Sequence, residues 1–221
     1  MAEVLEKEKV VKAPSEPLFS KKNRKLMSNP LDSDNPITVQ VLGICSALAV
    51  TVQLKPTLVM ALAVLFVVAM SNVAISYLRN IIPSRIRIIV QLGVVASLVA
   101  VVDQVLQAYA FGVSKQLSVF VGLIITNCIV MGRLEAFAMA NKPWPSLLDG
   151  IGNSIGYGLI ILAVAFFREL FGSGSIFGFE VFKAMGLNYT TNGLFVTPAG
   201  ACIVLGLIIW AQRTRNGYTE S

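Results

Sequence analysis

Six stretches of the chain are almost uninterrupted runs of apolar residues of membrane-spanning length. A helix that crosses the hydrocarbon core of a bilayer needs about 20 mostly apolar residues. The runs that meet this condition are roughly Ile37–Leu54, Thr57–Leu78, Ile88–Phe111, Leu117–Met139, Leu147–Leu170 and Leu194–Gln212. The pattern therefore predicts an all-α, multi-pass membrane protein with six transmembrane helices, and an even number of spans places both termini on one side.

The basic residues between the runs predict the orientation of the chain. Short loops rich in Lys and Arg stay on the cytoplasmic side of a membrane. One side carries Lys21, Lys22, Arg24, Lys25, Arg79, Arg85, Arg87, Lys142, Arg213 and Arg215, whereas the other carries Lys55, Lys115 and Lys183. We therefore expect cytoplasmic termini, with residues 1–35 as a flexible tail, 36–212 as the membrane domain and 213–221 as a C-terminal tail.

The order of the runs predicts an internal repeat. Three predicted helices lie in residues 36–112 and three in residues 116–212, so a duplication would give the two halves opposite orientations, as in many transport folds. Cys45 lies in the first helix of the first half and Cys128 in the first helix of the second. The two cysteines are therefore predicted to be symmetry mates, with buried thiols near the midplane.

Charges close to Cys128 conflict with a straight fourth helix. If Cys128 lies at the midplane, Arg133 is only roughly 7.5 Å further along, short of the ~15 Å half-thickness of the hydrocarbon core. We predict that helices one and four are broken near the midplane, and that Arg133 pairs with Glu135 or reaches the interface. Residues suited to such breaks are Gly43 in the first helix and Thr126, Asn127 and Gly132 in the fourth.

Composition narrows the chemistry that this chain can perform. It is 55% hydrophobic and only 14% charged, so a soluble domain of useful size is not expected. The net charge of +6 is explained by the basic residues expected on the cytoplasmic side of the membrane. Nucleic-acid binding is therefore not expected. Three cysteines, no histidine and no CxxC motif argue against a disulfide framework, a zinc ribbon, a Rieske centre and haem ligation by histidine.

The residues alone leave three interpretations of Cys45 and Cys128 open. A free cysteine is often just a small buried apolar side chain. A disulfide is disfavoured by burial away from the oxidising face of the membrane. The third interpretation is iron binding by thiolates, but a [2Fe–2S] cluster usually takes four ligands, so a partner chain would have to supply two. Cys202 has no counterpart in the other half and is interpreted as packing.

Two carboxylates lie within predicted spans and are candidates for an ion pathway. Asp103 is in the third run, and Asp149 is near the cytoplasmic start of the fifth. Water or Gln104 could instead satisfy Asp103, and Asp149 could instead stabilise the positive end of its helix. Arg168 and Glu169 are interpreted as the outer boundary of the fifth span.

Two segments around the cysteines resemble a known family. Leu42–Thr51, LGICSALAVT, and Thr126–Ala138, TNCIVMGRLEAFA, are similar to the D subunit of sodium-translocating NADH:quinone oxidoreductases. The E subunit of the Rnf electron-transport complex is the near alternative. The resemblance extends from about Ser28 to Gln212.

The resemblance implies a subunit of the bacterial inner membrane that is not catalytic alone. Its complex would pass electrons from NADH to ubiquinone while exporting Na⁺, with the NADH, flavin and ubiquinone sites on other subunits. Cys45 and Cys128 would hold a [2Fe–2S] cluster shared with a homologous E subunit of opposite topology. Membrane carboxylates of the family are tied to sodium handling, which strengthens the interest in Asp103 and Asp149.

Two other classes of function are open to a protein with this pattern. A stand-alone secondary transporter would use Asp103 and the broken helices, and would need neither iron nor a partner. A purely structural assembly subunit would keep its redox activity when the cysteines are replaced. Our hypothesis from the sequence is an electron-relay subunit in a membrane complex.

Overall fold

A computed structural model describes residues 26–31, 34–83, 85–109, 122–176, 179–180 and 193–216. In chain order these residues form a 3₁₀ turn (Asn29–Leu31), α1 (Ile44–Val50), α2 (Leu54–Leu78), α3 (Arg87–Tyr109), α4 (Cys128–Arg133), a π-helical turn (Leu134–Ala138), α5 (Pro143–Ser173), α6 (Gly193–Val196) and α7 (Pro198–Asn216). Strands β1 (Ser175–Ile176) and β2 (Phe179–Glu180) form a small antiparallel hairpin, with Ser175 opposite Glu180. Apart from this hairpin, the regular structure described is helical, as predicted.

Helices α2 and α5 form the centre of the described structure. They have 25 and 31 residues and pack along each other more extensively than any other two elements. At 1.5 Å per residue they are roughly 37 and 46 Å long, more than the ~30 Å hydrocarbon core of a bilayer. The core between the elements contains fully buried side chains from both helices, among them Val64, Val67, Ile161 and Ala165.

Three of the described helices are long and apolar enough to cross a membrane: Leu54–Leu78, Arg87–Ala108 and Pro143–Ser173. They correspond to the second, third and fifth predicted spans. Helix α7 corresponds to the sixth, but its last turn is basic, with Arg213 and Arg215. The count of six spans and the inverted repeat stay predictions, since residues 110–121 and 181–192 lie outside the described residues.

The first predicted span is not a continuous helix. Residues 36–40 form turns, α1 has only seven residues, and a second turn follows at residues 51–53 before α2 begins. Helix α1 packs against α2 and α7 rather than standing as a full-length span. The predicted helix over Ile37–Leu54 is therefore much shorter in the structure.

Part of the predicted flexible tail is packed against α5. Pro30 is buried, and the turn that contains it contacts this helix. A Cβ added at Gly152 would lie 2.8 Å from the carbonyl oxygen of Leu26 and 3.0 Å from Cα of Met27, so only glycine permits this approach. The packed part of the chain thus begins before residue 36, whereas residues 1–25 lie outside the described residues.

Candidate functional site

Cys45 lies in the first turn of α1, directly after an unusual stretch of backbone. Val41 and Gly43 have positive φ angles of 58° and 80°. Such angles strain a β-branched residue and suit glycine. A Cβ at Gly43 would also lie 2.9 Å from Cε2 of Tyr157. Helix α1 therefore starts directly after Gly43, which is its N-cap residue. This start agrees with the predicted break in the first helix near Gly43.

Cys128 is the first residue of α4, and an interruption precedes it. Residues 122–125 are helical, Thr126 and Asn127 are not, and α4 then begins. Asn127 is the N-cap, and its Oδ1 accepts a hydrogen bond of 3.3 Å from the backbone N–H of Ile129. The predicted break in the fourth helix is therefore present at Thr126 and Asn127, whereas Gly132 lies within α4. Its midplane position stays a prediction.

The thiols of Cys45, Cys128 and Cys202 are all exposed on the surface of this chain. None of the three thiols therefore lies in the core of this chain. The burial of Cys45 and Cys128 at the midplane of the membrane stays a prediction, as does the interpretation of Cys202 as packing. The buried neighbours explain the outcome at the two breaks, since Ser46 and Asn127 point into the structure and leave the adjacent cysteines outward. Exposed thiols are accessible to a group shared with another chain.

The two thiols do not form a complete metal site within the described residues. Among these residues, no group of three or more His, Cys, Asp or Glu side chains could hold a metal ion. Two outward-facing thiols agree with the half-set of ligands that the cluster hypothesis requires.

A buried ion pair resolves the charge conflict after Cys128. Arg133 donates from Nε to Oδ2 of Asp149 at 2.9 Å, and its Nη2 donates to Oδ1 of the same carboxylate. Asn153 also donates to Oδ1 of Asp149, at 3.1 Å. The predicted pairing of Arg133 with Glu135 is wrong, because Glu135 accepts from Arg87 and Gln91 on α3 instead.

Asp149 and Asn153 line a small cavity of about 110 Å³. Its other walls come from residues 26–40, the end of α4 and the π-helical turn. The lining residues there are Leu26, Asn29, Pro30, Asp34, Gln40, Arg133 and Phe137. Oδ1 of Asn153 is buried and has no hydrogen-bond partner among the described residues. The lining thus contains the carboxylates of Asp34 and Asp149, the second of which is paired with Arg133, and the amide of Asn153. Carboxylate and amide oxygens are ligands of hard cations.

Asp103 lies apart from this cluster. Its Oδ2 accepts a hydrogen bond of 2.8 Å from Nε2 of Gln107, one turn further along α3. The interpretation that a neighbouring amide satisfies Asp103 is supported, but the amide is that of Gln107 rather than Gln104. The structure therefore brings Asp149 into a polar cavity and leaves Asp103 on a partly exposed helix face.

Arg168 is a structural centre that the sequence interpretation missed. It is only 2% exposed, and its five N–H donors all have acceptors. Nη1 donates to the Leu48 carbonyl and the Thr51 hydroxyl, at 3.2 and 2.7 Å. Nε and Nη2 donate to the carbonyls of Phe195, Val196 and Thr197. One guanidinium thus joins the end of α1 to the break between α6 and α7. The interpretation of Arg168 and Glu169 as the outer boundary of the fifth span stays a prediction.

Glu169 also has a structural role. Its Oε2 accepts a hydrogen bond of 2.5 Å from the backbone N–H of Leu54, the first residue of α2. A charged residue inside a predicted span is a signal that could have identified both Arg168 and Glu169. The identity of their partners could not have been found in the same way, because Leu48 and Leu54 lie 120 and 115 residues away and even Phe195 lies 27 residues away.

The architecture defines a class: a helical membrane protein whose interrupted helices present paired cysteines. The model of the Rnf-Nqr subunit family of membrane proteins matches residues 23–209. The chain belongs to this family. It is 58% identical over 197 residues to the D subunit of the Na(+)-translocating NADH-quinone reductase of Pasteurella multocida (strain Pm70), covering 88% of this chain and 95% of that protein.

Two further relatives give the same result. The D subunit of the same enzyme from Psychromonas ingrahamii (strain DSM 17664 / CCUG 51855 / 37) is 59% identical over 191 residues, covering 86% of this chain and 91% of that protein. The one from Shewanella halifaxensis (strain HAW-EB4) is 57% identical over 197 residues, covering 88% of this chain and 94% of that protein. The resemblance found in the sequence is therefore confirmed at the level of the family and of these relatives.

Proposed function

We propose that this chain is the D subunit of a bacterial Na⁺-translocating NADH-quinone reductase. It acts as an inner-membrane subunit with cytoplasmic termini and has no catalytic activity alone. Relatives of that name, similar over nearly their whole length, support this assignment. In this proposal the sites for NADH, flavin and ubiquinone belong to other subunits of the complex.

Within this complex, Cys45 and Cys128 hold one half of a [2Fe–2S] cluster. The observation that carries this proposal is the exposure of both thiols at the starts of two short helices whose neighbouring residues are hydrogen-bonded to each other. A homologous E subunit of opposite topology supplies the other two ligands. When bound, the cluster supplies a one-electron carrier within the membrane.

The contribution of this chain is to hold two ligands in fixed positions. Side chains within α1 and α4 that face away from the thiols are fully buried, among them Ala47, Ile129 and Val130. These contacts anchor the short helices to α2 and α7, so the ligands do not depend on the partner for their position. The chain is thus a preorganised half-site.

The test is replacement of each cysteine in the assembled complex. Cys45→Ala and Cys128→Ala should each remove the electron paramagnetic resonance signal of the shared centre and lower the iron content, while the complex still assembles. Cys202→Ala is the matched control, because Cys202 is also exposed but lies on α7. A full signal in both Cys45→Ala and Cys128→Ala would reject the proposed ligands.

An ion pathway past Asp149 is the second part of the proposal. Its support is the cavity that contains this carboxylate together with the unpartnered Oδ1 of Asn153. Asp103 is the weaker member of the proposed pathway, because its carboxylate is engaged by Gln107 on the same helix. Whether Na⁺ passes this chain is tested by sodium-dependent turnover of Asn153→Leu, which should require more Na⁺ for half-maximal rate.

The E subunit of an Rnf complex is the second candidate, because the matching family includes subunits of both complexes. Co-purification distinguishes the candidates, since the first predicts a complex that reduces quinone with NADH and the second one that uses ferredoxin. A colourless monomer that transports ions alone would favour a secondary transporter instead.

A further inference from the structure

The residues next to the two cysteines are joined by buried hydrogen bonds. Ser46 follows Cys45 in α1, and Asn127 precedes Cys128 at the start of α4. Nδ2 of Asn127 donates to Oγ of Ser46 at 3.2 Å. The hydroxyl of Tyr157, from the middle of α5, lies 2.7 Å from the same Oγ. Three elements that are distant in sequence therefore meet at one serine oxygen.

The hydroxyl of Ser46 has enough hydrogen-bonding positions for all three of its contacts. A hydroxyl has one donor and two acceptor positions. Oγ of Ser46 donates to the carbonyl of Gly43 at 2.8 Å and accepts from Nδ2 of Asn127. Its last acceptor position is then open to the proton of the Tyr157 hydroxyl. All three positions of the serine are then occupied, so loss of either neighbour changes the network.

Burial makes this arrangement rigid. Ser46 and Asn127 are each 1% exposed, and Tyr157 is 0% exposed. Unsatisfied buried polar groups are costly, so the network resists rearrangement. The Tyr157 ring also lies against Gly43, where an added Cβ would be 2.9 Å away. The starts of α1 and α4 are thus held against the long helix α5 at one point.

We propose that Tyr157, Ser46 and Asn127 are positioning residues that set the separation of the Cys45 and Cys128 thiols. This inference rests on the proposed function, in which those thiols share a cluster with a partner chain. The reduction potential of an iron–sulfur centre depends on its protein environment, and residues behind the ligands control their orientation. The three residues form a hydrogen-bonded bridge between the starts of α1 and α4. This bridge tunes the reduction potential of the centre without contacting it.

The first experiment measures the effect of the bridge on the reduction potential and resonance signal of the centre in the assembled complex. Tyr157→Phe and Ser46→Ala should retain iron but shift the midpoint potential and the resonance line shape of the centre. Ser46→Thr, which keeps the hydroxyl, should restore values close to those of the unmodified complex. The control is Tyr77→Phe, because Tyr77 is 71% exposed on α2. An unchanged potential and line shape in both Tyr157→Phe and Ser46→Ala would overturn the proposal.

The second experiment needs no cluster. In the full-length Cys202→Ala chain, Cys45 and Cys128 are the remaining cysteines of the three in the sequence, so nitroxide labels can be attached to them alone. Pulsed resonance should give a narrow distance distribution that broadens or shifts with Tyr157→Phe and not with Tyr77→Phe. A distribution that is equally narrow in both variants would contradict the positioning role.

The two experiments separate the possible failures. If Cys45→Ala and Cys128→Ala retain the signal, the proposed cluster fails, although the label distances still test the bridge. If those variants lose the signal while Tyr157→Phe leaves both the potential and the distances unchanged, the bridge alone is rejected.

Discussion

The long helices and the cysteine-bearing helices differ in how their backbone polar groups find hydrogen-bond partners. Helices α2 and α5 run for 25 and 31 residues, so most of their backbone polar groups are satisfied internally. Helices α1 and α4 have seven and six residues and expose helix ends within the packed structure. The long pair thus forms the packed centre of the described structure, whereas the short pair carries the candidate ligands.

Short helices carry a cost that side chains must offset. The last carbonyls and first N–H groups of a helix have no internal partner. Arg168 supplies donors at the end of α1, where it contacts the carbonyl of Leu48, and Asn127 supplies an acceptor at the start of α4. Interruptions near the cysteines are thus maintained by specific residues of the surrounding fold.

The largest expected effect is on Arg168. Arg168→Met would leave several acceptors unsatisfied at the end of α1 and before α7, at about 1–3 kcal/mol for each buried group. We expect most of the protein to be lost as aggregate, and Arg168→Lys to recover part of it. Thermal stability in detergent, followed by size-exclusion chromatography, measures this. Arg215→Met, at an exposed position of α7, is the control. A melting temperature of Arg168→Met equal to that of the control would contradict the role.

The next prediction compares the loss of stability when each of two neighbouring ion pairs is broken. Asp149→Ala leaves Arg133, whose side chain is 15% exposed, without its carboxylate, and should cost roughly 3–5 kcal/mol. Glu135→Ala breaks the pair with Arg87. The side chains of Arg87 and Glu135 are 42% and 37% exposed, so the loss should cost about 0–1 kcal/mol. Denaturation in mixed micelles measures both. Equal losses in the two variants would mean that burial does not distinguish the pairs.

A smaller effect is expected at Gly43. Gly43→Ala forces a side chain into a positive φ and against the ring of Tyr157, at an expected cost of about 1–3 kcal/mol. Gly93→Ala is the matched control on α3, since an added Cβ there has no atom within 4 Å among the described residues. It should stabilise its helix by up to about 1 kcal/mol. The proposal of a fixed start for α1 fails if both variants melt alike.

The hydropathy pattern predicted the long helices well, because an uninterrupted apolar run leaves the chain little alternative within a membrane. It was less informative for Ile37–Leu54, where the same apolar character hides two turns around a seven-residue helix. The break before Cys128 was predictable because Arg133 lies too close to the thiol for a straight span. The spacing of these two residues revealed the conflict but not Asp149, the residue that resolves it.

The residues of the candidate site were predictable only where they lie close to the cysteines in the sequence. The paired cysteines and the nearby Gly43 and Asn127 are visible in the sequence. Tyr157 and Arg168 are not recognisable as parts of the same site, because they act over separations of 111 and 120 residues. The direction of the thiols also depends on which faces of α1 and α4 pack inward. Hydropathy did not indicate this, because the buried face of α1 includes the polar Ser46.

These separations have a consequence for how the protein is made. Asn35, Ser46 and Leu48, at and before α1, all bind residues of α5 that are 121, 111 and 120 positions later in the chain. A ribosome has therefore synthesised most of the protein before the first cysteine can acquire its final surroundings. During that interval α1 lacks the partners that hold it, so the surroundings of Cys45 form late in biogenesis. In the proposed complex, delivery of iron to these thiols would then follow completion of α5.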